Sequence, residues 1–182
     1  MIHPLADVKS NKIGKNTSVW QFCVILEDSQ IGDNCNINCN VFIENDVIIG
    51  DNVTVKPGVY IWDGIRIGNN VFIGPNVTFT NDRNPRSKKY PAEFQKTTID
   101  ENASIGAGAI ILGGVYIGKY SMVGAGSLVT KDIPERALVY GSPAKIHGWL
   151  NDDGSKMKQL NDQFLDSQNN FWEVRNDKLI KI

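Results

Sequence analysis

The sequence predicts an all-β chain wound as a triangular prism from coils of 18 residues. Three observations carry this reading. The dipeptide Ile-Gly falls at 13–14, 31–32, 49–50 and 67–68, always 18 residues apart. Every sixth residue from Ile13 to Phe79, and again from Ile99 to Val129, is Ile, Val or Phe. Four residues after each of these, from Thr17 to Val77 and from Ala103 to Ser127, stands a small or β-branched residue. β-Branched residues with a turn every six fit short strands and no helix. Three strands make one coil, and coils stack at about 4.8 Å. A single coil cannot bury its own faces, but a stack makes a continuous core.

The elements follow in order. "MIHPLADVKS" forms an imperfect first coil and lacks the basic and apolar regions of a signal peptide. The turns, such as "IGDN", "IGNN", "IGPN" and "IGAG", supply Gly and Asn, which tolerate positive φ. Cys23 and Cys35 fall in the small-residue column and read as interior fillers. With Cys39 they make three, an odd number without a C-x-x-C pair, which supports neither a disulfide framework nor a zinc site. The expectation is a soluble chain in a reducing compartment, the cytoplasm. A net charge of −1 gives no footprint for nucleic acid. No apolar run approaches the roughly 20 residues of a membrane span.

One stretch breaks the rhythm: "TNDRNPRSKKYPAEFQKTT", 80–98. Phe79 and Ile99 are successive rhythm positions, 20 apart where 6 is the rule, so 14 residues are extra. The insertion leaves one corner of the prism and returns to the next strand. Excursions of this length are functional or disordered. Pro85 and Pro91, with Pro75 upstream, stiffen it, and Tyr90 and Phe94 offer packing, so an ordered arm is expected.

After Trp149 the rhythm is gone. "FWEVRNDKLIKI" reads as a β-hairpin turning at Asn176-Asp177. It is too small to stand alone and is expected to fold back and cap an exposed edge. The organisation is thus a prism over 1–148 and a tail over 149–182.

These repeats resemble those of the left-handed parallel β-helix acyltransferases. The left hand is what the resemblance implies, since periodicity leaves it open and general crossover rules favour the right. "VGAGSLVTKDIPERALVYGSPAKIHGW" is similar to the closing segment of members that use acyl-CoA. The resemblance implies homotrimers with active sites in grooves between prisms and the pantetheine arm lying along such a groove. The inserted loop, with "FTND", "PRSK", "YP" and "F-x-K-T", is similar to that of nucleotide-linked 3-amino-sugar N-acetyltransferases. The type acting on dTDP-3-amino-3,6-dideoxyhexoses, in bacterial surface-glycan synthesis, matches best. Enzymes acting on UDP-linked 3-amino-3-deoxy-glucuronates carry a similar "FTN…NPR", with a counterpart of Asn84, and are the alternative.

The implied reaction moves an acetyl group from acetyl-CoA to a sugar amine, without a metal. Relatives that acylate hydroxyls use a loop histidine; the only histidines here are His3 and His147, one near each end. An amine titrating near 7.7–8.0 is partly neutral at physiological pH, so orienting it is the main task. Asn81 is assigned to orientation, and Asp82 is the fallback acceptor or base; the bland reading of each is a turn or loop residue. Arg83, Asn84, Arg86 and Lys88 are candidate substrate contacts, with Arg86 first for the pyrophosphate because its guanidinium is a planar fork. Tyr60 and Trp62 are candidates to stack on a base, line the sugar pocket or cover a trimer face, and Asp63 beside them is a candidate substrate contact. Gly106, Ala107 and Gly108, with Gly124 and Ala125, offer backbone N–H groups to the coenzyme and an oxyanion. Lys131 and Lys145 suit the coenzyme's phosphates, against the plain reading of exposed lysines. A trimeric scaffold is the non-enzyme alternative; coenzyme A would not stabilise it. A zinc enzyme of similar fold needs three histidines per site.

Overall fold

The structure is a computed structural model describing residues 1–182. It contains 24 short strands and no helix. Three sheets, parallel except for one antiparallel closing strand, form the faces of a prism, because nearly every strand pairs with strands three places away in the chain. The first face runs from Ser18–Val19 to the closing strand Ala144–Trp149, the second from Asp7–Val8 to Leu128–Val129, and the third from Gln30–Ile31 to Tyr116–Ile117.

Most strands have two residues, and the second points inward. Register stacks like on like: Ile25 pairs with Ile43, and Ile43 with Ile61. All rhythm residues except Ile13 are buried, and so is the whole small-residue column. Each fully buried Ile contributes about 1.5–3 kcal/mol. The inserted loop leaves the stack undisturbed: Ile73 pairs with Ile105 and Phe79 with Ile111 across it. The Sγ atoms of Cys23 and Cys35 donate to the carbonyls of Asn38 (2.9 Å) and Gly50 (3.1 Å). Burial pushes both thiols up, so they stay protonated fillers.

The turns divide their labour differently from the sequence expectation. Positive φ falls on asparagines such as Asn34 (56°), Asn52 (58°) and Asn70 (58°), and on glycines such as Gly58 (76°) and Gly108 (65°). The glycine that follows Ile13, Ile31, Ile49 and Ile67 has another reason. A Cβ on Gly68 would sit 2.8 Å from the backbone nitrogen of Glu101 in the next coil. That glycine permits close stacking rather than a left-handed turn. At the same corner, between the third and first faces, carboxylates and amides bind the coil below. Asp51 Oδ1 accepts from the Asp33 N–H and Asn69 Oδ1 from the Asp51 N–H, both at 2.8 Å, and Asn52 Nδ2 donates to Asn70 Oδ1 at 3.0 Å.

The first coil is imperfect as expected, with one bridge, Ile2 to Val19, and the pair Asp7–Val8 on Val24–Ile25. The tail exceeds its expectation. The hairpin of Phe171–Arg175 and Lys178–Lys181 turns at Asn176-Asp177, but Lys158–Leu160 and Gln163–Leu165 complete a four-stranded antiparallel sheet. Their polar sequence hides the strands; the signal is the Asn161-Asp162 turn between them, a two-residue hairpin loop. Arg136 fastens this sheet to the prism. Its guanidinium lies 2.5 Å from Asp152 and stands over Tyr120 (4.8 Å) and Trp172 (5.4 Å).

Candidate active site

The inserted loop emerges at the corner between the second and third faces. Successive coils place Glu44, then Trp62 and Asp63, then Thr80 and Asn81, then Leu112 and Gly113 there. The corner is tied downward. Asn81 Nδ2 donates to the Asp63 carbonyl (3.2 Å), and the Asp63 N–H donates to Glu44 Oε2 (2.7 Å). Asp63 Oδ1 accepts the Asp46 N–H (2.7 Å), so this side chain serves the corner itself. Burial pushes the Glu44 carboxyl above its usual range, although it accepts from the Asp63 N–H.

The loop has a closed neck. Gln95 N–H donates to the Asn81 carbonyl (3.0 Å), so the excursion returns to where it left. The coil above clasps this neck. Gly113 N–H donates to Thr80 Oγ1 and Gly114 N–H to Thr97 Oγ1, both at 2.9 Å, while Arg83 Nε donates to the Gly113 carbonyl (2.8 Å). A Cβ on Gly113 would stand 2.6 Å from Gln95 Oε1 and 3.1 Å from the Asn81 Cα. Only glycine fits beneath the loop. Sequence reading missed Gly113, Gln95 and Glu44; the doubled glycine of "LGGV", where other coils carry a polar pair, was the available signal for the first.

Two side-chain oxygens stay unpartnered here: Asn81 Oδ1 and the buried Gln95 Oε1. The Asp82 carboxylate caps the Asn84 N–H at 2.8 Å, an Asx turn that shapes the loop's start. Further out, Arg86 to Lys89 form a tight turn with Lys88 at φ 60°. The Arg86 guanidinium folds onto the Pro85 carbonyl (2.8 Å), and Lys88 is exposed. Tyr90, expected to pack, is 83% exposed, so the arm's order rests on its neck and turns.

Beside this corner the second face carries an aromatic cleft. The indole N–H of Trp62 donates to the Phe79 carbonyl (2.9 Å), fixing the ring one coil below Asn81. Phe42, Tyr60 and Trp62 meet at centroid distances of 5.7–6.3 Å in edge or tilted geometry. With Phe22, Val24, Asn40 and Val41 they line a cavity of about 340 Å³.

Gly106, Ala107 and Gly108 stack under Gly124 and Ala125 at the corner between the first and second faces. Gly108 (φ 65°) and Gly126 (φ 68°) have open space where a side chain would stand. Lys131 and Lys145 come together in one cleft of about 330 Å³, with Thr130, Asp132 and, from the tail, Asp177. Lys131 occupies the same corner position as Asn81, two coils above it, or about 10 Å. Paired ammonium groups suit a phosphorylated ligand, with Asp132 and Asp177 in the same cleft and the open glycine turns at a different corner. His147 stacks on Tyr140 (3.6 Å between centroids) and His3 Nδ1 accepts the Leu5 N–H (3.2 Å). Neither lies at the loop-bearing corner. No group of three or more His, Cys, Asp or Glu side chains gathers in ligand geometry.

Comparison with known proteins agrees with this geometry. The family described as "Bacterial transferase hexapeptide (six repeats)" matches residues 12–45, 46–81 and 96–131. The gap between the last two segments coincides with the inserted loop. The chain is 57% identical over 162 residues to dTDP-3-amino-3,6-dideoxy-alpha-D-galactopyranose 3-N-acetyltransferase of Aneurinibacillus thermoaerophilus, covering 89% of this chain and 84% of that protein. Among solved structures it is similar to PerB from Caulobacter crescentus, determined in complex with CoA and GDP-perosamine (TM-score 0.57, 27% identity). That match covers 81% of this chain and spans 56% of the length of the Caulobacter protein. A hexapeptide-repeat acetyltransferase from Vibrio cholerae is similar at TM-score 0.55 and 28% identity, covering 76% of this chain and 73% of that one. The chain belongs to the bacterial hexapeptide-repeat transferases.

Proposed function

We propose that the chain transfers the acetyl group of acetyl-CoA to the 3-amino group of a dTDP-3-amino-3,6-dideoxyhexose. The observation that carries this reading is the 57% identity, across 89% of the chain, to an enzyme named for that reaction. The loop corner supports it. Asn81 is held by its Nδ2 and its carbonyl, leaving Oδ1 to accept a hydrogen bond from the amine and aim the nitrogen lone pair. The amine nitrogen then forms a bond to the thioester carbon. Backbone N–H groups of the Gly106–Gly108 turn stabilise the oxyanion. The C–S bond breaks, and the amine's proton passes to the departing sulfur, giving an amide and a free thiol. Asp82 is the alternative proton acceptor. Lys131 and Lys145 hold the coenzyme's phosphates, with Gly124 and Ala125 along its arm. Arg86 and Lys88 on the arm reach the sugar nucleotide's diphosphate, aided by Arg83 and Asn84.

The working unit in this reading is a homotrimer, each site completed by a neighbour, as in the family at large. The reaction belongs to the cytoplasm, where both substrates are made, and supplies an acetamido sugar for surface glycans. Incubation with acetyl-CoA and the dTDP-linked amino sugar, beside a UDP-linked 3-amino-3-deoxy-glucuronate, tests it. Free thiol and an acetylated product from the dTDP substrate alone are expected. Product from the glucuronate alone would move the assignment to that substrate. Product from neither, with no thermal stabilisation by coenzyme A, would leave a scaffold.

A further inference from the structure

We infer that the aromatic cleft of the second face is a nucleobase subsite, in which Asn40 reads the imide edge of a pyrimidine. The inference rests on the proposed reaction and specifies where the far end of its substrate lies. Six of the seven residues lining the cleft are apolar, among them Phe22, Phe42, Tyr60 and Trp62. Tyr60 is 52% and Phe22 57% exposed, so ring faces stand open to a flat partner. The one polar lining residue, Asn40, sits at φ 58°, and its side-chain amide makes no hydrogen bond within the chain. A primary amide offers a donor and an acceptor side by side. That pair complements the N3–H and adjacent carbonyl of thymine or uracil.

The position fits the length of the substrate. Trp62 forms one wall of the cleft and is pinned to the Phe79 carbonyl, immediately before Thr80 and Asn81. Asn40 and Phe42 lie two coils below Asn81, about 10 Å along the prism, with Phe42 on the second face and Asn40 at that face's far corner. A pentose and a diphosphate separate the base from the amino sugar over a comparable span. With the amine at Asn81, the base therefore falls in the cleft, and the coenzyme occupies the coils above.

The apolar walls also choose between pyrimidines, because thymine carries a methyl group that uracil lacks. Burying it favours thymine about fourfold. Calorimetric titration of the intact chain with dTMP and dUMP, which differ only in that methyl, reads this directly. The expected result is a dTMP affinity about four times that for dUMP. Asn40→Gly keeps the left-handed backbone and removes the amide. It should weaken dTMP about tenfold, as should Tyr60→Ala, whose ring is half exposed and outside the core. In turnover, both variants should raise KM for the nucleotide sugar and keep kcat.

Unchanged dTMP affinity in both variants overturns the subsite. So does equal affinity for dTMP and dUMP. A Tyr60→Ala chain that loses its oligomeric mass but binds dTMP as before would assign the cleft to a contact between copies. The two levels separate cleanly. Turnover of the amino sugar with KM untouched in both variants removes the subsite and leaves the reaction. Binding of dTMP through Asn40 and Tyr60 without acetyl transfer keeps the subsite and removes the reaction.

Discussion

Two corners of the same prism, built on the same six-residue rhythm, have opposite fates. At the corner between the third and first faces, Asp33, Asp51 and Asn69 direct their side-chain oxygens to backbone N–H groups of neighbouring coils, and Asn52 pairs with Asn70. Its side chains tie coil to coil. At the corner between the second and third faces, the chain departs for the loop and returns, and Asn81 keeps a carbonyl oxygen free. Asparagine stands at both corners. What differs is what each is attached to: Asn52 serves only the stack, pairing with Asn70, whereas Asn81 stands at the neck of an inserted loop, its backbone carbonyl taken by the Gln95 N–H. Insertion, rather than residue type, separates scaffold from site.

The comparison can be broken in several ways. The largest effect should follow removal of residues 82–95, which restores the six-residue spacing between Phe79 and Ile99. A folded prism is expected, melting within a few degrees of the parent, with turnover reduced ~10³-fold or more because Asn81 loses the Gln95 N–H that holds its carbonyl and the arm's substrate contacts are gone. Circular dichroism and the thiol assay together read this. Gly113→Ala pushes a methyl group against Gln95 and the Asn81 backbone. It should lower kcat about tenfold with little change in Tm, because the loop gives way before the core does. At the stacking corner, Asn52→Ala loses the hydrogen bond to Asn70 and places alanine at φ 58°. It should cost about 1–2 kcal/mol in a denaturant titration and leave kcat/KM alone.

The smallest effect lies in pH. Burial works against the Asp166 carboxylate, but hydrogen bonds from Asn170, Trp172 and the Gln168 backbone outweigh it and hold its pKa well below the usual range. A depressed folded pKa contributes stability above the unfolded value, about 3.9, and loses it as pH falls through the folded value. Tail-sheet fluorescence from Trp172 should therefore be flat from pH 8 to 5 and change only in strong acid.

Much of this was legible in the sequence, for physical reasons. A column such as Ile25, Ile43 and Ile61 must recur because each coil buries the same position against the next, so periodicity maps onto register. The loop announced itself as a phase-preserving gap between Phe79 and Ile99. The tail strands did not, since Lys158–Leu160 and Gln163–Leu165 are short, largely polar and held by specific partners rather than a buried face. Asn81 is singled out by the likeness of "FTN" to the loop of the 3-amino-sugar acetyltransferases. Gly113 and Gln95 act through a contact between residues 18 apart in chain, and no local pattern encodes that packing. Lys131 and Lys145, chosen separately, share a cleft because the closing strand Ala144–Trp149 folds back antiparallel onto Ala137–Gly141.

The most direct measurement is kcat/KM for the dTDP-linked amino sugar in Asn81→Ala beside Asn52→Ala, with Tm recorded for both. The account predicts about a hundredfold loss at Asn81 with Tm unchanged, and a lowered Tm with full activity at Asn52. An Asn81→Ala chain within threefold of the parent, or an equal loss of activity at Asn52, would contradict it.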